Sequence, residues 1–188
     1  MSIVNKQHAI RTARLVLRPL QANDDARIFE LCAHRNILRY LSAPPWPYER
    51  EHARAFVSAQ MAPNPDVITS AITHDGALIG IIGAVIKPAS PTQRDRGYAI
   101  GFWLGQPYWG QGFMSEAARA FIAHVFDVTG VDTVYSGAVS DNAASLRIQE
   151  KLGFDRDREA MLYIPSCGKE LPSTHTVLTR ARFAALSN

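Results

Sequence analysis

The sequence predicts an α/β fold in which helices pack on a mixed sheet, and three stretches carry that prediction. Two apolar runs, 67–73 and 77–85, flank the turn His74-Asp75-Gly76, and an Asp-Gly step between such runs is a strong hairpin signal. Two further strands, 97–104 and 132–139, enclose the amphipathic segment Ser115 to Val128, and strands joined through a helix lie parallel. A short capped helix, Asn142 to Gly153, then leads into two more strands.

Taken in order, Arg14 to Leu20 alternates in residue type and ends at a proline step, as a first strand would. Asn23 stands where a helix cap is expected, and the helix from Asp24-Asp25 sets Ile28, Leu31 and Cys32 on one face. Pro44, Pro45 and Pro47 around Trp46 fix φ and remove donors, so this segment is a stiff loop. Glu49 to Met61 places Ala53, Phe56, Val57 and Met61 at helical spacing. After the hairpin, a polar loop from Lys87 to Asp95 precedes the strand over 97–104. In the long helix, Ala117, Ala118, Phe121, Ile122, Val125 and Phe126 form an apolar stripe that Gly130 terminates. In the helix over 143–152, Ala144, Ile148 and Leu152 are expected inward, with Arg147, Glu150 and Lys151 outward and Gly153 closing the end. Strands near 159–164 and 174–180 flank a loop containing Pro165, Gly168 and Pro172. The expected order is β-α-α-β-β-β-α-β-α-β-β. Neither a repeat nor a linker interrupts it, which predicts one domain over residues 1–188.

Composition bounds the function. Hydrophobic residues make up 47% and charged residues 20% of the 188, ordinary for a globular protein with one core. The net charge of +3 suits a small acidic ligand, and no run of five basic residues argues for nucleic acid. Cys32 and Cys167 are too few for a disulfide framework, which predicts a reducing cytoplasm. No 18-residue apolar stretch occurs and the N-terminus lacks a signal-like apolar region, so neither a membrane span nor secretion is expected. The six histidines share no metal-ligand spacing with Cys or acidic partners, and no metal is expected.

Chemistry concentrates in Gly105 to Met114, between a strand and the start of the long helix. A helix start offers unpaired N–H groups and the positive end of the helix dipole, and glycine admits a phosphate without a Cβ in the way. Gly110 and Gly112 supply that permissiveness. No Lys-Ser/Thr pair follows them, so this is not a nucleotide P-loop, and the three-glycine dinucleotide fingerprint is absent. On these residues alone, a phosphate cradle and a merely tight turn explain the glycines equally well.

The wider pattern is more specific. IGFWL and YWGQGFMSEAARAFIAHVF, then NAASLRIQEKLGF one strand later, resemble the GNAT superfamily of N-acetyltransferases. Within it they are most similar to the branch that acetylates ribosomal-protein N-termini and its small-amine relatives. ARLVLRPL near the start and HTVLTR near the end fit the same pattern, so the resemblance covers about residues 12–183. It implies a sheet that splays open between the strands at 97–104 and 132–139, with acetyl-CoA as co-substrate in the opening. The pantetheine arm would pair with the strand around Phe102, Trp103 and Leu104, and the pyrophosphate would sit on the turn Trp109, Gly110, Gln111, Gly112, Phe113 and Met114. Met114 departs from the family's usual last residue, a change that backbone donors survive. The implied partner is a small-molecule amine or a protein N-terminus, and dimers are frequent among relatives.

Acetyl transfer to an amine needs a deprotonated nitrogen, a route for its proton, and a donor for the departing sulfur. Many relatives carry a tyrosine before Lys-Leu-Gly-Phe as that donor, and Gln149 stands there instead. The resemblance offers Ser145 as the alternative. It is equally explained as a residue of the first helical turn. Asn142 is both a helix cap and a candidate pantetheine contact. Arg147 and Lys151 could reach phosphates, although a solvated helix face explains them as well. Relatives often place a glutamate base where Ala99 stands, so the base is open between Asp141 and a water relay. Glu116 is assigned to the helix start and His124 to structure. Tyr40, Trp46, Tyr48 and Trp103 are candidates for the acceptor wall or for core packing. With Ala99 and Gln149 where relatives keep base and acid, a non-catalytic acyl-CoA-binding module is the alternative to an active enzyme.

Overall fold

The computed structural model of the chain describes residues 8–87 and 96–186. Its strands are β1 (Ile10–Arg11), β2 (Val16–Arg18), β3 (Val67–His74), β4 (Ala77–Lys87), β5 (Gly97–Leu104), β6 (Thr133–Val139), β7 (Asp155–Ile164) and β8 (Lys169–Thr179). Its α-helices are α1 (Asp24–Cys32), α2 (Arg35–Leu38), α3 (Arg50–Met61), α4 (Phe113–Thr129), α5 (Ala143–Leu152) and α6 (Arg180–Ala185). The strands form a single mixed sheet in the order β1-β2-β3-β4-β5-β6-β8-β7, parallel at the β5–β6 junction and antiparallel at every other.

Alternation along β4 explains why both faces are covered. Leu78 and Ile81 join Ile28, Leu31, Ala53 and Val57 in the core beneath α1 and α3. Ile79 and Ile82 join Phe121, Ile122 and Val125 in the core beneath α4. Strict alternation would set Ile79 and Ile81 on one face. Thr73 pairs with Leu78 but Ile72 with Gly80, so Ile79 is the extra residue of a β-bulge, and the bulge switches the phase. The α4 stripe is buried as its periodicity predicts, and Phe121 has no exposed surface. Its replacement by alanine would cost ~3–5 kcal/mol.

The structure corrects several boundaries. The expected strand over 14–20 is only Val16–Arg18, and a two-residue β1 precedes it, held by the Thr12 and Leu15 hydrogen bonds of the connecting turn. Asn23 occupies the cap of α1 but its side chain makes no cap bond; buried Asp24 instead holds both Arg18 Nη atoms at 2.8 and 2.7 Å and the Gln21 N–H. Met61 is 51% exposed because α3 ends there. α4 begins at Phe113, with Gly112 as its left-handed cap. On α5, Ile148 and Leu152 pack inward as expected, but Ala144 is exposed, and Gln149 is buried with Ser145 half-buried beside it. β7 and β8 extend toward each other until Pro165–Gly168 suffice to join them. Pro172 lies inside β8, one residue beyond the last β6 partner, where its missing N–H breaks no ladder. One-turn α2 and C-terminal α6 were not expected. The loop expected at Lys87–Asp95 lies, beyond Lys87, outside the described residues.

Candidate functional site

β5 and β6 are paired at only two positions, Tyr98 with Val134 and Ala99 with Tyr135. Beyond them β5 stays with β4 as far as Leu104, and β6 stays with β8 as far as Val139. Each strand follows its antiparallel partner, so the pair separates into a V. The last tie is a side chain: Ser136 Oγ donates to the Ile100 carbonyl at 3.0 Å.

The open edge of β5 presents backbone groups. Ile100 faces β6, and strand alternation turns the Phe102 N–H and carbonyl and the Leu104 N–H the same way. The Leu104 carbonyl takes the Trp109 indole N–H at 2.8 Å. The Trp103 backbone is turned instead toward β4, where a Cβ on Gly80 would overlap its carbonyl oxygen. Its side chain packs against the α1–α3 core. Of the three residues expected to offer backbone to the opening, Phe102 and Leu104 do so.

The Trp109–Met114 turn closes the same end of the opening. Gly110 and Gly112 have φ of 74° and 79°, in the left-handed region that favours glycine. Trp109 N–H donates to Gln106, and Glu116 N–H to Gly112. Between them, the N–H groups of Gly110 through Met114 have no protein partner among the described residues. Unpaired donors at a helix start, with no Cβ at two of the positions, fit a pyrophosphate. Phe113 and Met114 turn their side chains into the core. The Gln111 side chain donates back to the Pro107 carbonyl at 2.9 Å.

Arg14 is a member of this neighbourhood that sequence reasoning missed. Its Nη1 donates to the Gln111 carbonyl at 3.0 Å, its guanidinium lies 4.6 Å from the Phe113 ring centre, and its Nε pairs with Glu116 at 2.7 Å. Burial pushes the Glu116 carboxyl up, but the Thr12 hydroxyl, the Arg14 N–H and the guanidinium outweigh it and hold the carboxyl below its usual range. Glu116 therefore ties β1–β2 to α4, as its helix-start assignment allows, and Arg14 offsets its charge beside the cradle. The partners lie 102 residues apart, and no local signal could have joined them.

On the β6 side, Asn142 caps α5 by accepting the Ser145 N–H at 3.2 Å. Ser145 Oγ accepts from Gln149 Nε2 at 3.1 Å, and Gln149 Oε1 accepts from Thr176 Oγ1 at 2.6 Å. Gln149 is 1% exposed. Arg147 and Lys151 are exposed on the opposite face. Asp141, at the mouth of the opening, pairs with Arg39 at 3.0 Å. Ser166 Oγ donates to the Leu38 carbonyl at 2.8 Å, which brings the β7–β8 tip onto α2 beside that pair. Around this rim Trp46 is 40% exposed beneath Arg35, and Tyr40 lies under Arg39. Tyr48 instead belongs to the core, where burial pushes its hydroxyl pKa up. His124 is half-buried on α4. Among the described residues, no three His, Cys, Asp or Glu side chains group as metal ligands, and no helix is long and apolar enough to cross a membrane.

Residues 14–155 match the acetyltransferase (GNAT) domain family. The chain is 26% identical to the uncharacterized N-acetyltransferase YnaD of Bacillus subtilis (strain 168), over 79% of this chain and 83% of that protein. Among solved structures it resembles an acetyltransferase (GNAT family) from Bacillus anthracis, with a TM-score of 0.75 and 21% identity over 92% of this chain and 98% of that one. It also resembles the RimL ribosomal alpha-N-protein acetyltransferase in complex with coenzyme A, with a TM-score of 0.78 and 18% identity over 92% and 98% of the two chains.

Proposed function

The chain belongs to the GNAT acetyltransferase family and is an acyltransferase, and from that premise we propose that it transfers an acetyl group from acetyl-CoA directly to a primary amine in a ternary complex. The acceptor is a protein N-terminus or a small-molecule amine, and the catalytic unit is the single domain of about residues 12–183. The observation that carries this reading is the separation of β5 from β6 after Ala99 and Tyr135, with unpaired N–H groups at the head of α4 closing one end. The RimL neighbour's complex with coenzyme A supports the same ligand. Unpaired Cys32 and Cys167 fit a reducing cytoplasm.

Acetyl-CoA supplies the activated acetyl group as a thioester. The N–H groups of Gly110 through Met114 hold the pyrophosphate, with Trp109 and Gln111 flanking it. The Phe102 and Leu104 backbone groups pair with the pantetheine. Asn142 has its Oδ1 committed to the helix cap, which leaves its amide N–H groups to meet that arm. Ser145 directs its hydroxyl proton at the sulfur. As the N–C bond forms, the C–S bond breaks, its electron pair goes to sulfur, and the amine proton leaves through water. Ala99 offers no base, and Asp141 is engaged with Arg39 at the mouth.

The test is to incubate the protein with acetyl-CoA and a panel of amines and free-N-terminus peptides while following thiol release. Turnover is expected on at least one acceptor, and Ser145→Ala is expected to lower kcat roughly tenfold to a hundredfold, the worth of one hydrogen bond to a charged group. Tight CoA binding with no turnover on any acceptor would establish the acyl-CoA-binding module instead.

A further inference from the structure

We propose that Gln149 and Thr176 are positioning residues that fix the direction in which Ser145 offers its hydroxyl proton. The inference rests on the reading of Ser145 as the group that meets the departing sulfur.

A carboxamide oxygen only accepts and its nitrogen only donates, so one partner at either end decides its orientation. Thr176 Oγ1 donates to Gln149 Oε1 at 2.6 Å, which turns the amide nitrogen toward α5's first turn, where it donates to Ser145 Oγ at 3.1 Å. Ser145 is thereby used as an acceptor. Its single proton finds no acceptor among the described residues. The three groups form one chain of same-sense hydrogen bonds, threonine to glutamine to serine, and such chains strengthen each successive donor. Gln149 is 1% and Thr176 4% exposed, so water does not compete for the links.

The topology aims that proton at the opening. Thr176 lies directly across from Ser136 in the β6–β8 register, and Ser136 makes the last tie between the diverging strands. The chain leaves β6 at its open end and returns along α5, so Gln149 stands level with the vertex. Ser145, one turn nearer the helix start, stands roughly 6 Å further into the open part. The glutamine cannot itself protonate a thiolate. Its role is to hold the serine in the donor orientation. As the C–S bond breaks, the electron pair that remains on sulfur receives the Ser145 O–H as a hydrogen bond, and the chain behind it gains or loses no atom.

The test titrates CoA bound to the intact protein, following the ultraviolet absorbance of its thiolate, and needs no acceptor amine. A donor to sulfur favours the thiolate and lowers its pKa. Ser145→Ala is expected to raise the bound thiol's pKa by about one unit, and Gln149→Leu and Thr176→Val by about half a unit each. Gln149→Leu is expected to add nothing in a Ser145→Ala background, and CoA affinity should stay within about twofold throughout, since these groups contact one atom of a large ligand. Thr176→Val loses only the hydroxyl at nearly constant shape, so it carries the test if Gln149→Leu disturbs packing. A Ser145→Ala shift with none in either other variant overturns the positioning role and leaves the serine reading standing. No shift in Ser145→Ala overturns both. A Gln149→Leu shift that persists undiminished without Ser145 also overturns the proposal.

Discussion

The Trp109–Met114 turn and the first half of α5 border the same opening from opposite sides, but they are made of different material. The turn presents main-chain N–H groups, made available by two left-handed glycines and the head of a 17-residue helix. The α5 side presents side chains whose directions are set by partners on another strand, with Thr176 lying 27 residues beyond Gln149. A site made of backbone tolerates side-chain changes that keep its conformation, and a site made of side chains fails when any link is lost.

Several substitutions break or sharpen that contrast. The largest effect belongs to Gly112→Val, because a β-branched residue in the left-handed region costs ~1–2 kcal/mol and relieves it by turning the N–H groups away, so CoA affinity should fall roughly fivefold to thirtyfold by calorimetry. Asn142→Ala removes the cap of α5 and should lower stability by ~1 kcal/mol in denaturant titration, with kcat falling several-fold as the Ser145 turn frays. Glu116→Gln tests the tie between β1–β2 and the head of α4. The folded carboxyl is held below its unfolded value of about 4.5, so the tie contributes fully above that pH and is lost as pH falls through the lower folded value. The substitution should cost ~0.5–1 kcal/mol at neutral pH, modest because Arg14 is 45% exposed, and should flatten the acid decline below about pH 4.5. The smallest effect is expected at Gln111→Ala. Among the described residues its amide reaches only the Pro107 carbonyl, and CoA affinity should stay within about twofold if the cradle is backbone. A larger loss there would show that the turn, too, depends on its side chains.

These differences follow how far apart the cooperating residues lie. The hairpin at Asp75-Gly76, the α4 stripe and the Gly130 and Gly153 caps are local patterns, and each stands where its residues predict. On α5 the expected Ile148 and Leu152 do pack inward, but Ala144 is exposed and buried Gln149 was missed, because Ala144 is apolar and Gln149 is not. Buried Gln149 is favourable only once Thr176 and Ser145 satisfy its amide, and that pairing crosses from helix to strand. The division of β5 follows from a single long-range fact, that β4 takes the Trp103 carbonyl and leaves Phe102 facing the opening.

By itself, the sequence determined the α/β class, the order of most elements and the glycine turn at the head of α4, because turns, caps and amphipathic faces are encoded over a few neighbouring residues. Only the tertiary structure decided where β5 parts from β6, that Arg14 stands against Glu116 at the head of α4, and that Ser145 accepts from Gln149. Each of those depends on hydrogen bonds between residues far apart in the chain, whose directions exist only once the sheet has brought them together.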